Sequence, residues 1–134
     1  MATQLEQKTI DLLNQRNFAH VSTHRADGTI HNVVVWIGVD EQGRPFVNTA
    51  EGRVWPRNLD RDPRLTVSIH NTENPYEFAS ITGQVVARDT EHGDAVIDAL
   101  AKKYMDVDSY PFRQEGEVRV TFTIEPERVA HHGA

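Results

Sequence analysis

The run Thr49-Ala50-Glu51-Gly52-Arg53-Val54-Trp55-Pro56-Arg57-Asn58-Leu59-Asp60-Arg61-Asp62-Pro63-Arg64-Leu65 concentrates positive charge in a chain whose formal net charge is −6. Arg53, Arg57, Arg61 and Arg64 follow at intervals of four, four and three, a spacing that shares one helical face. Pro56 modifies that picture, because proline suits a first helical turn and disfavours helical angles at the residue before it, here Trp55. The reading is an extended approach carrying Arg53, a short helix over residues 56–60, and a stop at Asp62-Pro63. Arg53 then stands beside a helix N-terminus, whose free backbone N–H groups favour an anion. Two roles fit. One is a phosphate cradle, since guanidinium offers phosphate a planar fork. The other is a solvated helix laced by Asp60–Arg64 pairing, worth only about 0.3–0.5 kcal/mol. Charge spacing leaves both open.

Both flanks of this stretch read as strands. Residues 45–50 precede it; Leu65, Val67 and Ile69 alternate with Thr66, Ser68 and His70 after it. Further upstream, residues 18–24 and 30–39 form two strands around the hairpin signal Ala26-Asp27-Gly28, and Asp40-Glu41-Gln42-Gly43 turns the chain back into 45–50. Leu5, Thr9, Leu12 and Leu13 recur at helical spacing, so residues 4–16 read as an amphipathic helix, with Thr3 and Glu6 as a capping box. Downstream, Asn74-Pro75 breaks the chain before a long strand over 76–88, in which Gly83 marks a bulge or a close backbone approach. Residues 90–104 are helical, with Ile97, Leu100, Ala101 and Tyr104 as the buried stripe and Gly93 a weak point in the first turn. A polar loop over 106–116 holds Tyr110, Pro111 and Phe112. Val118, Val120, Phe122 and Ile124 then alternate with Arg119, Thr121 and Thr123 in a sixth strand, and the tail frays beyond Val129.

The strand over 30–39 is apolar on both faces. Val33, Val35 and Ile37 point one way; Ile30, Val34 and Trp36 point the other. An antiparallel strand with one wet face should alternate with polar residues, so a helix or a second copy of the chain must cover the outer face. With two substantial helices to share, a homodimer interface near this strand is expected. Six antiparallel strands with helices outside suggest a small barrel, whose closure removes exposed edges. The 134 residues fit one domain, 1–134, with an adequate core.

Composition excludes several chemistries. Cysteine is absent, which removes disulfides, thiolate metal sites and cysteine nucleophiles. Hydrophobic residues are 38% and charged residues 25%, as in ordinary globular proteins. No signal peptide or membrane span is legible, so no membrane partner and a cytoplasmic location are expected. The negative net charge argues against nucleic acid, while leaving room for one small anion at a local basic cluster. His20, His24, His31, His70 and His92 fall in different elements, and His131-His132 lies in the expected tail, so no metal site is expected. No Gly-x-Ser-x-Gly elbow, Gly-x-Gly-x-x-Gly or Walker loop occurs.

The arginine stretch carries a resemblance. Arg53, Arg57-Asn58-Leu59 and Arg61-Asp62-Pro63-Arg64 before an apolar strand resemble the pyridoxamine-phosphate-oxidase-like split-barrel flavoproteins, and in particular their short branch that uses the deazaflavin coenzyme F420. The Ala-Asp-Gly-Thr hairpin before His31-Asn32 and the segment Tyr-Glu-Phe-Ala-Ser-Ile-Thr-Gly-Gln-Val at 76–85 extend the likeness over nearly the whole chain. It implies a six-stranded antiparallel split β-barrel and a homodimer with cofactor sites where the subunits meet. It implies that Arg53 and Arg57 hold the cofactor phosphate, with Thr49 and Asn58 nearby. His31, Asn32, Val33 and Val34, with Val47, Asn48 and Thr49, would lie along the ring system. His70 and Tyr76 would reach in from the other subunit. Many members carry lysine two positions after the first basic residue; this chain has Trp55, which either stacks on a ring or packs in the core. The implied activity is hydride transfer between coenzyme F420 and a small electron-poor acceptor such as a conjugated alkene, quinone or tetrapyrrole. FMN is the rival cofactor, and a non-catalytic flavin- or tetrapyrrole-binding module the rival class. In such enzymes the cofactor carries the hydride and protein supplies orientation and electrostatics, so no catalytic triad is expected and no proton donor is singled out.

Overall fold

The computed structural model describes residues 2–133. Seven strands and three helices follow in the order α1 (Gln7–Asn14), β1 (Ala19–His24), β2 (Ile30–Val35), β3 (Ile37–Val39), β4 (Pro45–Ala50), α2 (Val54–Arg61), β5 (Arg64–His70), β6 (Phe78–Asp89), α3 (Gly93–Met105) and β7 (Arg119–His132). All strands join one antiparallel sheet in the order β2-β1-β5-β6-β7-β4-β3. The seventh strand comes from the predicted 30–39 segment, which breaks at Trp36 into β2 and β3. These two pieces occupy opposite edges of the sheet. Edges one residue apart along the chain can coexist only if the sheet curls back on itself, so the sequence of pairings by itself dictates a split barrel.

Side chains from α3 fix the break. The Tyr104 hydroxyl accepts from the Ile37 N–H at 3.2 Å and lies 2.5 Å from the Asn17 carbonyl, to which it donates. The Lys103 ammonium donates to the Leu13 and Ile37 carbonyls at 2.6 and 2.7 Å. Trp36 stacks on the Tyr104 ring, with centroids 5.3 Å apart and planes 5° from parallel. Together they satisfy backbone groups that leave the ladder where β2 gives way to β3. The concave side holds the core: Val21, Ile37, Val47, Val67, Ile81, Phe122 and Ile124 are buried there with Leu12 and Leu13 of α1.

Several expectations change. Thr3 does not cap α1; its N–H and hydroxyl both donate to β7, to the Pro126 and Glu127 carbonyls, and Glu6 is the N-cap without a side-chain cap bond. Pairing to a strand gave Thr3 two bonds where the cap offered one. The tail does not fray at Val129. It continues as β7 to His132, opposite Phe78 of β6, and buried His131 is bonded to Thr9 and Glu77. Gly83 does mark the bulge, with Thr82 opposite Arg128 and Gly83 opposite Pro126. A Cβ there would meet the Glu125 carbonyl oxygen at 2.1 Å, a contact that only glycine avoids. Gly93 is a close approach rather than a weak point. A Cβ would meet the Arg119 carbonyl oxygen at 2.1 Å, so glycine lets the N-terminus of α3 sit directly on β7.

Burial at the break shifts two titrations. Desolvation lowers Lys103 from 10.5 to about 8 and raises Tyr104 from 10.0 to about 12. For Lys103 the folded value is depressed, so its contribution to stability is full above 10.5 and is lost as pH falls through 8. For Tyr104 the folded value is raised, so its contribution is full below 10 and is lost as pH rises through 12. Urea unfolding of the wild type should therefore gain stability, relative to Lys103→Met, between pH 8 and 10. A constant difference across that range would contradict the assignment.

Candidate functional site

At the first turn of α2 the backbone departs from expectation. The helix begins at Val54, Arg53 is its N-cap in an extended conformation, and Trp55 is already helical. Proline at the third helical position costs no hydrogen bond, because the first-turn N–H groups have no acceptor within the helix. Trp55 is buried and packs at 6.2 Å from Phe122, so the packed fate prevails, although one side of it borders a cleft.

The four arginines do not share a face. Arg64 lies on β5 and bonds the Asp62 carboxylate twice, at 3.0 and 2.7 Å. Arg61 donates to the His24 carbonyl and to Asn58. The expected Asp60–Arg64 pair is replaced by Asp60–Arg88 at 3.0 Å, and Arg88 also pairs with Glu51. That leaves Arg53 and Arg57, both exposed and without an ion-pair partner among the described residues. An unpaired guanidinium at a helix N-terminus meets the positive end of the helix dipole. That arrangement is unfavourable until an anion arrives.

A cleft of about 340 Å³ runs from Arg53 into the split of the barrel. Its lining comes from β2 (Val33, Val34, Val35), from β4 (Asn48, Thr49), from Arg53 and Trp55, and from Phe18, Trp36, Tyr110, Phe112 and Arg119. A larger cleft of about 490 Å³ lies between the N-terminal segment and the β3–β4 turn. Among the described residues its only arginine or lysine, Arg44, is already paired with Asp40 at 3.3 Å.

The smaller cleft straddles an open strand edge. β4 pairs with β7 along residues 46–50, but β3 covers it only along 45–47. The other edge of Asn48, Thr49 and Ala50 has no strand beside it. On one side of that edge the Thr49 hydroxyl is buried, the residue being 1% exposed, and has no hydrogen-bond partner. A buried polar atom left unsatisfied is uncommon and calls for an explanation such as a ligand or water. On the other side Asn48 donates to the Gly93 carbonyl and the Thr121 hydroxyl, both at 3.0 Å, and accepts from Arg119 Nε at 2.9 Å. Arg119 is 4% exposed and pairs with Glu117 at 2.9 Å.

Of the residues named from sequence, Val33, Val34, Asn48, Thr49, Arg53 and Trp55 line this cleft. Asn58 is buried and committed elsewhere, donating to the Thr23 hydroxyl at 3.0 Å and accepting from Arg61 at 3.3 Å. It ties α2 to β1. Val47 is wholly in the core between Ile37 and Phe122. Asn32 donates to the Ser22 hydroxyl at 2.9 Å. His31 is half-buried, with Nδ1 buried and unpartnered, and does not line the cleft. His70 and Tyr76 are exposed, His70 facing the His20 ring at 6.3 Å. Arg57 stands exposed on α2 outside the cleft lining. Sequence reasoning passed over Arg119, Tyr110, Phe112, Trp36, Val35 and Phe18. Arg119 was hidden by its regular place in the polar phase of a strand, and two aromatics in one polar loop were the available signal for Tyr110 and Phe112.

Comparison with known proteins places this geometry. The family model described as pyridoxamine 5'-phosphate oxidase matches residues 5–133. No curated protein matches the sequence. Among solved structures, one described as an F420 reductase superposes with a TM-score of 0.78 at 22% identity, over 90% of this chain and 94% of that one. The conserved hypothetical protein Rv2991 from Mycobacterium tuberculosis gives 0.70 at 18%, over 98% and 86%. A putative pyridoxamine 5'-phosphate oxidase from Listeria innocua gives 0.67 at 16%, over 96% and 98%. With its curled antiparallel sheet, the cleft at its split and a family match over nearly its full length, the chain belongs to the pyridoxamine 5'-phosphate oxidase family.

Proposed function

We propose that the protein is a homodimeric oxidoreductase that moves a hydride between coenzyme F420 and a small electron-poor organic acceptor. One observation carries this reading: an unpaired arginine at the N-cap of α2 opens onto a cleft that holds an orphaned buried hydroxyl. The likeness in fold to a protein described as an F420 reductase supports deazaflavin over FMN.

The residues present fit such a cofactor. Arg53 and Arg57 would hold its phosphate, one from the N-cap and one from the exposed face of α2. The Thr49 hydroxyl would donate to a phosphate or ring oxygen. The uncovered edge of β4 at 48–50 offers backbone groups to a heterocycle. Val33, Val35 and Trp55 exclude water beside it. When bound, the reduced coenzyme supplies the hydride. Tyr104 takes no part in proton delivery, because its hydroxyl is committed to the Ile37 and Asn17 backbone.

The outer face of β2 supports the homodimer. Ile30 and Val34 are 51% and 55% exposed on an edge strand, beside exposed Phe18. An apolar edge left bare invites pairing. The second copy would cover it and bring His70 and Tyr76 towards the neighbouring cleft. No helix among the described residues is long and apolar enough to cross a membrane, and a site for a diffusible coenzyme needs none.

Four outcomes test this reading. Fluorescence titration should show F420 binding tighter than FMN; the reverse order would replace the cofactor. Arg53→Ala should weaken binding by about 1.5–3 kcal/mol, the worth of a charged hydrogen bond, with little change in melting temperature. Thr49→Val should hold or raise the melting temperature of the cofactor-free protein, since it removes an unsatisfied hydroxyl, while weakening cofactor binding. A melting temperature that falls with either substitution as far as affinity does would make that residue structural. Val34→Glu should convert the dimer to a monomer in sedimentation velocity; an unchanged sedimentation coefficient would move the interface elsewhere.

A further inference from the structure

The aromatic wall of the cleft has a different chemistry from Arg53. It comprises Trp36, Tyr110 and Phe112. Tyr110 meets Trp36 edge-on at 6.0 Å and Phe112 at 5.8 Å, with interplanar angles of 88° and 78°. The Arg119 guanidinium lies over the Tyr110 ring at 5.1 Å. Its Nε donates to Asn48 and its Nη1 to Glu117, whereas Nη2 has no hydrogen-bond partner among the described residues. Arg119 is thus fixed on two sides, neutralised by Glu117, and left with one donor nitrogen. Arg53, by contrast, is exposed and has no ion-pair partner among the described residues.

From this contrast we infer that Arg119 is a specificity-determining residue, which anchors the carbonyl oxygen of a flat, neutral ring substrate through Nη2. The inference rests on the oxidoreductase reading above and names the substrate class for that site. The charge balance selects the class. A neutral carbonyl needs one donor and brings no charge. A carboxylate would set a second anion against a guanidinium already matched by Glu117, and an unpaired buried charge is costly. A hydrocarbon ring would stack on Tyr110 and Phe112 but leave Nη2 without an acceptor. A carbonyl held this way is also polarised, which favours hydride addition at a conjugated carbon with the negative charge developing on the oxygen facing Nη2 and a proton then taken from water.

The test is binding rather than turnover. Calorimetric titration of the cofactor-loaded protein compares 1-indanone, indane and indane-1-carboxylate, which share a bicyclic skeleton. Indanone should bind about tenfold tighter than either, as one charge-assisted hydrogen bond allows. Arg119→Lys keeps a cation for Glu117 but loses the fork. It should reduce the preference for indanone over indane about tenfold and leave indane unchanged. Phe112→Ala, at an exposed position, should weaken all three alike. The inference is overturned if the carboxylate binds best, if Arg119→Lys keeps the preference, if that variant weakens indane as much as indanone, or if indanone displaces the cofactor. Running the same series on the cofactor-free protein separates the two proposals. Failure of cofactor binding with the indanone preference intact would sink the oxidoreductase reading and spare the role of Arg119.

Discussion

The whole arrangement depends on the one-residue step at Trp36. A strand that crosses from one edge of a sheet to the other in a single residue forces the intervening five strands to roll up. The step must be held, because backbone groups that leave a ladder need new partners. Tyr104 and Lys103 provide them at Ile37, and the parallel stack of Trp36 on Tyr104 fixes the direction in which the chain turns. The same step creates the cleft. β3 is only three residues long, so it stops short of Asn48, Thr49 and Ala50 and leaves their edge uncovered. A longer β3 would cover that edge.

Charge is distributed with a similar logic. The molecule is acidic, yet half of the arginines from Arg53 to Arg64 are committed, Arg61 to the His24 carbonyl of β1 and Arg64 to the Asp62 carboxylate. Arg61 ties the C-terminal end of α2 to β1, and Arg64 of β5 holds the Asp62 C-cap. Arg53 and Arg57 are left over, and Arg53 stands at the N-cap, where the helix dipole already disfavours a cation. Residues kept in an unfavourable position without a structural partner point to a ligand more strongly than a count of basic residues does. The spacing of four, four and three suggested a single row. The structure divides that row by partner instead.

Much of the fold was legible because local patterning and global architecture agree. Strict alternation gave β5 and β7, the Asp-Gly hairpin gave β1 and β2, and Gly83 announced a bulge that its neighbours require. The failures have one common cause: a long-range partner outcompeted a local one. Thr3 preferred the β7 carbonyls to a helix cap. Asn58, placed beside a phosphate by resemblance, is consumed by Thr23 of a strand 35 residues away in sequence. The C-terminal tail is ordered because β6 is long enough to pair with it. The break at Trp36 could not be read, since its cause lies in the side chains of α3. Part of the candidate site was legible for the same reason. Arg53 and Thr49 sit on consecutive local elements, whereas Arg119 enters only through the pairing of β7 with β4.

That pairing explains why two dissimilar cations border one cleft. Thr49 lies opposite Val120 and Ala50 opposite Arg119, so neighbouring positions on β4 and β7 send their side chains to opposite faces. Thr49 and Trp55 therefore belong to the interior face and Asn48 and Arg119 to the face beneath α3. A single uncovered strand edge lies between them. A ligand laid across that edge would meet an exposed cation without an ion-pair partner, Arg53, and a buried, neutralised one, Arg119. The first suits a charged group that keeps some of its water. The second suits a polar atom without charge, because Glu117 is already bound there. Substituting residues on one face of β4 should thus leave the chemistry of the other face intact, as the opposite orientation of adjacent strand residues requires.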